Sequence, residues 1–232
     1  MNNTAMTLSN SLLDLNTMDL TAVNTALQEA QDGAFTVVNP AGVHALACGL
    51  EHPIEVTVEG HAGYYCAGMN KAASVTINGN AGTGLAENIM SGTVRVTGNA
   101  SQSAGATGHG GLVVIEGDAS ARCGISMKGV DIVVGGNVGH MSAFMAQAGN
   151  LVVLGDAGSS LGDSIYEARL FVRGDVASLG SDCEQKEMRP EHLDFLSGLL
   201  KRAGLEADPA DFKRYGSARQ LYTFKIGNAG AY

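Results

Sequence analysis

Tryptophan is absent from this 232-residue chain, and aromatic residues make up only 5% of it. So poor an aromatic content argues against a core of large interlocking rings and for an interior of small β-branched and Ala side chains. There are four prolines, Pro40, Pro53, Pro190 and Pro209, and none lies between Glu55 and Arg189. Proline cannot donate to a hydrogen-bonded ladder, so that proline-free stretch has room for continuous sheet. Lys and Arg number only 14 against 23 Asp and Glu, a net charge of −9. With no basic run and no aromatic-basic patch, nucleic acid is a poor partner. No apolar segment approaches the roughly 20 residues a membrane span needs. The stretch from Met1 to Asn16 has no basic region before its leucines, unlike a signal peptide, and predicts a cytoplasmic protein. The four cysteines, Cys48, Cys66, Cys123 and Cys183, form no C-x-x-C pair. Cys66 and Cys123 occupy the same place in two repeats three coils apart, a gap of roughly 14 Å at 4.8 Å per coil, which no disulfide spans. Free, mostly buried thiols are predicted.

What is present is glycine, 32 residues of it, and much of it is periodic. From Glu55 to Val176 one phrase recurs seven times, from Glu55-Val-Thr-Val-Glu-Gly60 and Ser74-Val-Thr-Ile-Asn-Gly79 to Arg169-Leu-Phe-Val-Arg-Gly174. Its closing glycines, Gly60, Gly79, Gly98, Gly117, Gly136, Gly155 and Gly174, stand 19 residues apart without a slip. A fixed period of this length marks a solenoid, one coil per repeat. Four and two residues before each glycine come apolar pairs such as Val56/Val58 and Ile132/Val134, placed on one face of a strand. After the glycine comes His61 or an Asx residue, a combination that reads as a left-handed corner. An inward Ala or Val follows. Seven residues past the glycine stands a small side chain: Ala67, Ala86, Gly105, Gly124, Ala143, Gly162 or Ser181. That suits a second corner.

Leucine-rich, calcium-binding nonapeptide and hexapeptide repeats each require a pattern this chain lacks. The expected fold is therefore all-β: a single-stranded, right-handed parallel β-helix of about seven 19-residue coils. The predicted divisions are an N-terminal segment and capping helix (1–34), the β-helix (35–183) and C-terminal helices with a tail (184–232). Asp19–Gln31 reads as a helix with Asp19 as N-cap and Leu20, Val23, Leu27 and Ala30 on one face, followed by a strand at Phe35–Val38. Pro190–Gly204 reads as an amphipathic helix with Leu193, Leu196, Leu199 and Leu200 on its apolar face. A short helix is expected from Asp208 to Tyr215 and a strand at Leu221–Ile226. Helices are expected to cap both ends, and the C-terminal aromatics either to close the open end or to reach a partner.

Chemistry-bearing motifs are scarce. There is no dinucleotide fingerprint, Walker sequence, H-E-x-x-H or G-x-S-x-G. Gly82-Thr-Gly84 and Gly108-His-Gly110 read as structural corners. The histidines fall on different faces. Asp156 and Asp175 stack closely enough to hold a cation, but a column mixing Asn with Asp more simply reads as a side-chain ladder. No catalytic, cofactor-binding or metal residue is expected on this chain. Glu87 and Asn88 belong to the few polar exceptions in the coils, read as a solvated loop or a binding surface. Candidate interface residues are Tyr64, Tyr65, Asn70, Asp163, Tyr166 and Arg169 in the coils, and Tyr215, Arg219, Tyr222, Phe224 and Tyr232 in the tail.

The strand–Gly–Asx–Ala coils with their second small corner resemble the GXGXG β-helix at the C-terminal end of the glutamate synthase large subunit, over roughly Phe35–Cys183. Among stand-alone members, two segments are similar to the small subunit of N-methylglutamate synthase (methylamine–glutamate N-methyltransferase). They are His61-Ala-Gly-Tyr-Tyr-Cys-Ala-Gly-Met-Asn70 and the tail Phe212–Arg219 with Leu221–Asn228. The resemblance implies a subunit of a multi-subunit enzyme that converts methylamine and glutamate to N-methylglutamate and ammonia. It implies one partner that is class II amidotransferase-like, with an N-terminal cysteine nucleophile, and another, glutamate synthase-like, that holds FMN and iron–sulfur. This chain, with Asn2 after Met1 and no ferredoxin cysteine run, would be their scaffold in a higher-order hetero-oligomer. Two other members stay open: a stand-alone third domain of a split glutamate synthase, and a component like the related chain of formylmethanofuran dehydrogenase.

Overall fold

The computed structural model of the chain describes residues 10–221. The apolar pairs form strands, and the strands stack in register. The element order begins β1 (Asn10–Asp14), α1 (Leu20–Glu29) and β2 (Ala34–Val38), followed by the seven coil strands. These are β3 (Glu55–Glu59), β4 (Ser74–Ile77), β5 (Thr93–Val96), β6 (Leu112–Ile115), β7 (Lys128–Val134), β8 (Ala148–Val153) and β9 (Arg169–Val172). Then come β10 (Cys183–Lys186), α2 (Pro190–Ala203) and β11 (Lys213–Ser217). All the strands belong to one eleven-stranded sheet ordered β1 to β9, then β11 and β10. β1 through β9 pair in parallel, so Val56, Val75, Val94, Val113, Ile132, Leu151 and Leu170 lie in a single row. Each is at most 1% exposed, and burying such a side chain contributes about 1.5–3 kcal/mol. The inward Ala/Val column makes a second ladder, Ala62 to Ala81 to Ala100 and on to Val176, through single bridges. The chain is a parallel β-solenoid of seven regular coils.

Two corners differ from the sequence-based expectation. The Asx residues are not left-handed, and among the closing glycines only Gly60 has a left-handed φ. Their pairing has another cause. The Asx side-chain oxygen accepts the backbone N–H of the Asx one coil on: Asn80 Oδ1 from Asn99 at 2.8 Å, Asp118 Oδ1 from Asn137 at 2.7 Å, Asp156 Oδ1 from Asp175 at 2.8 Å. The oxygen reaches that position only because the residue above it has no Cβ; one built on Gly136 would stand 2.2 Å from Asp118 Oδ1. Glycine is therefore required by close approach, and Asx by the ladder.

The second corner is broader than one small residue. Each regular coil through the sixth turns with left-handed residues five, seven and nine positions past its glycine, for example Tyr65, Ala67 and Met69 at φ of +59°, +54° and +56°. The middle one points inward and is small because the interior is thin: a Cβ on Gly105 would lie 2.5 Å from Ile132 Cδ1. In the last coil Leu161 bridges to Leu179, one residue short of the period, and Asp182 rather than Ser181 takes the left-handed turn, at φ +61°.

The ends also differ. α1 begins at its expected N-cap, where Asp19 Oδ1 accepts the Ala22 N–H, and its Val23 and Leu27 enter the core. Asn24 fastens it to the irregular opening coil by bonding Ala45 O and the Ala47 N–H. α2, however, caps nothing. Leu196, Leu199, Leu200 and Ala203 pack on the outward side chains of β6–β9, Val114, Val133, Val152 and Phe171. A 14-residue helix is about 21 Å long, close to the roughly 19 Å separating β5 from β9. Polar contacts hold it at both ends: Arg95 reaches Ala203 O, Arg202 pairs with Asp131 at 3.3 Å, and Arg169 lies 4.3 Å over the Phe195 ring. Gly204, at φ +64°, ends it. Beyond it, the expected helix at Asp208–Tyr215 is one 3₁₀ turn, Pro209–Asp211, followed by β11. β11 runs antiparallel to β9 and places Tyr215 opposite Leu170, so a strand closes that end of the core. The expected strand at Leu221–Ile226 lies, after Leu221, outside the described residues.

Candidate functional site

The left-handed corners decide which side chains a coil displays. In the first coil the N–H groups of Tyr65 and Met69 donate forward to Thr83 O and Glu87 O, while that of Ala67 donates backward to Leu46 O. Alternate residues therefore point in and out, leaving Tyr65 and Met69 about half exposed. Tyr64, just before them, is exposed to the same degree. Both rings rest on the next coil, over glycine: a Cβ on Gly82 would stand 2.8 Å from Tyr64 Cδ1, and one on Gly84 2.7 Å from Tyr65 Cδ1. Gly82-Thr-Gly84 is thus structural, as expected, and its function is to seat two tyrosines. From the other side His44 stacks on Tyr64, centroids 4.4 Å apart and planes at 20°, and its Nδ1 accepts the Tyr64 N–H at 2.9 Å. The result is a fixed aromatic surface near the N-terminal end of the solenoid.

The other sequence-predicted residues scatter. Asn70 is fully buried and bonds Ala73 and Ser91 O, and Tyr215 is core. These two serve the chain's own packing and do not face a partner. Arg169 donates Nε to Asn150 Oδ1 at 2.9 Å while covering Phe195, so it ties the solenoid to α2. Asp163 accepts from Ser164 Oγ and the Ser181 N–H in the last coil, near the partly buried Tyr166. Arg219 is exposed and pairs with Glu167 at 3.4 Å. Tyr222, Phe224 and Tyr232 lie outside the described residues. Among the described residues Tyr64 and Tyr65 form a shared exposed surface. His44, Met69 and the neighbouring Met90 were not singled out by sequence reasoning; the signal was the outward position Met69 shares with Tyr65.

Several groups that could do chemistry are engaged in the fold. His61 Nδ1 accepts the Asn80 N–H at 2.9 Å, opening the Asx ladder, and His140 Nδ1 lies 3.0 Å from Ser159 Oγ. The Asp156–Asp175 step bonds carboxylate to backbone. Among the described residues no three His, Cys, Asp or Glu side chains are grouped to hold a metal ion. Nor is any helix among them long and apolar enough to cross a membrane. All four thiols are free, and burial pushes Cys66 and Cys123 up to about 12. Such thiols stay protonated and non-nucleophilic. Because the folded value is the raised one, their stabilising contribution is complete below the ordinary thiol pKa. It is lost as pH climbs from about 8.5 toward 12. In a disulfide-exchange assay on native protein at about pH 8, just below the ordinary thiol pKa, Cys66 and Cys123 are expected to react only after unfolding. Prompt labelling of either would contradict this burial.

Stacked strands, an Asx ladder and a displayed aromatic surface define a parallel β-solenoid protein. The chain is 60% identical over 226 residues to Protein GlxC of Rhizobium meliloti (strain 1021), a match that covers 95% of this chain and 99% of that protein. It belongs to the GlxC family. No protein-family profile matches the chain, and no solved structure matches it significantly.

Proposed function

We propose that this chain is a non-catalytic structural subunit of a glutamate synthase-related enzyme, and specifically of N-methylglutamate synthase. In that assembly a class II amidotransferase-like subunit and a glutamate synthase-like subunit, holding FMN and iron–sulfur, form N-methylglutamate and ammonia from methylamine and glutamate. The observation that carries the reading is the ladder: the repeat's Asx and His61 side chains bond the next coil, which makes a stiff rod and gives them a structural task. The kinship with Protein GlxC and the GXGXG-like coils support the glutamate synthase relation.

Reconstitution tests it. Co-expressed with the two partner subunits, the chain is expected to co-purify in fixed stoichiometry, and omitting it should abolish methylamine-dependent N-methylglutamate formation. Alone it should be colourless and inactive. A stoichiometric flavin spectrum or turnover from the isolated chain would overturn the scaffold role. Activity of the complex with ammonia or glutamine and 2-oxoglutarate, but not with methylamine, would assign it to a split glutamate synthase instead.

A further inference from the structure

Beside the two tyrosines lies a carboxylate that the fold does not use. Glu87 belongs to the second coil, and its Oε2 stands 3.0 Å from where a Gly84 Cβ would be; Tyr65 Cε1 is 2.8 Å from that same point. Carboxylate and ring edge are therefore within about 6 Å of each other, the reach of a cation–π contact. Among the described residues Glu87 makes no side-chain hydrogen bond or ion pair, whereas the nearby Lys71 is held by Glu51. Met69, 52% exposed, donates its backbone N–H to Glu87 O and adds apolar surface on the same coil as the tyrosines.

We propose that Tyr64, Tyr65 and Glu87 form a docking site for an arginine side chain carried by a protein partner. The half-exposed Tyr65 ring offers its outer face, on which a guanidinium stacks while its edge donates to the carboxylate. Tyr64, covered on one side by Gly82 and on the other by His44, contributes its rim and hydroxyl. The rings are preorganised here, since they lie against glycine backbone and Tyr64 is clamped by His44. The chain's acidic balance favours a basic partner at long range. An apolar partner would leave the Glu87 carboxylate unpaired and desolvated, which is unfavourable. The site deepens the scaffold reading, naming the chemistry of a partner contact, and can be tested apart from it.

The probe is a hexa-arginine peptide, titrated at low ionic strength into the full chain and followed by calorimetry and tyrosine fluorescence. Tyr65→Asn removes the ring yet tolerates the left-handed backbone, and Glu87→Gln removes only charge. Both are expected to keep the wild-type thermal midpoint and to weaken the peptide about tenfold. Glu206→Gln, an equal change of charge in the loop after α2, on the side of the solenoid that α2 covers, should leave binding unchanged, and hexalysine should bind more weakly than hexa-arginine. Unchanged binding in Glu87→Gln or Tyr65→Asn, or equal loss in Glu206→Gln, overturns the site. In the reconstituted complex the same two variants should loosen assembly and reduce its salt dependence. If the wild-type chain does not assemble with the named partners, the scaffold role fails, and the peptide titration still decides the site.

Discussion

Gly136→Ala is expected to destabilise the protein by about 3 kcal/mol, lowering the thermal midpoint by roughly 6–12 °C. The added Cβ would fall 2.2 Å from Asp118 Oδ1 and 3.0 Å from the Gly117 carbonyl carbon. Asp118 can yield only by releasing the Asn137 N–H it accepts at 2.7 Å. Strain and a lost ladder bond then add. Truncating the obstacle in the double variant Asp118→Ala/Gly136→Ala should recover about 1 kcal/mol relative to additivity, because the two groups touch. Gly198→Ala supplies the contrast. It lies in α2 with no atom within 4 Å of its would-be Cβ, and helix propensity alone should raise stability by about 1 kcal/mol. Urea unfolding of the parent, these three variants and the single Asp118→Ala variant that closes the cycle decides the matter. A Gly136→Ala variant as stable as the parent would mean that close approach does not explain the glycine column.

Removing one whole coil should be tolerated, whereas removing one residue fewer should not. Deleting Asn80–Gly98 joins Gly79 to Asn99, and the strands, Ala ladder and Asx ladder each meet their own kind, since each repeats at 19 residues. Only the exposed Tyr64 and Tyr65 rings, which lose Gly82 and Gly84 to Ser101 and Ser103, must turn aside. In a solenoid each repeat touches only its neighbours, so the shortened rod loses one repeat's worth of stability, plus the Arg95 contacts to Glu116 and α2. Deleting only Asn80–Thr97 leaves an extra residue, and with a strand period of two this turns the following apolar pair outward. The first variant is expected to keep a sheet-rich circular dichroism spectrum and cooperative melting. The second should be largely insoluble or expose dye-binding apolar surface. Equal behaviour of the two would contradict a register held by the period.

The strands were legible because their cause is local. Val56 and Val58 face inward by the alternation of any strand, and seven in-phase copies leave one way to stack. α1 was legible for the same reason, with an N-cap followed by apolar residues at helical spacing. The position of α2 also had a signal, though not a local one. Between the inward pairs, the middle residue is Thr57, Thr76 and Arg95 in the first three coils, then Val114, Val133, Val152 and Phe171 in the last four. That change from polar to apolar marks where an outer face is covered, and it becomes meaningful only once the coils are stacked. β1, β10 and β11 carry little alternation of their own and are strands because a neighbouring edge offers hydrogen bonds.

The sequence by itself determined the period, the coil count, the inward rows and the absence of the common catalytic motifs, since each follows from spacing along the chain. Only the tertiary structure decided why glycine precedes Asx, which of the candidate residues face solvent, and that Tyr64, Tyr65 and Glu87 share a surface. Those facts depend on the distance between residues one coil apart. Glycine stands where an oxygen from the coil below needs the space, and the tyrosines lie exposed because the coil above presents Gly82 and Gly84. A contact between stacked coils is set by backbone path and side-chain volume together, and neither is written in either coil alone.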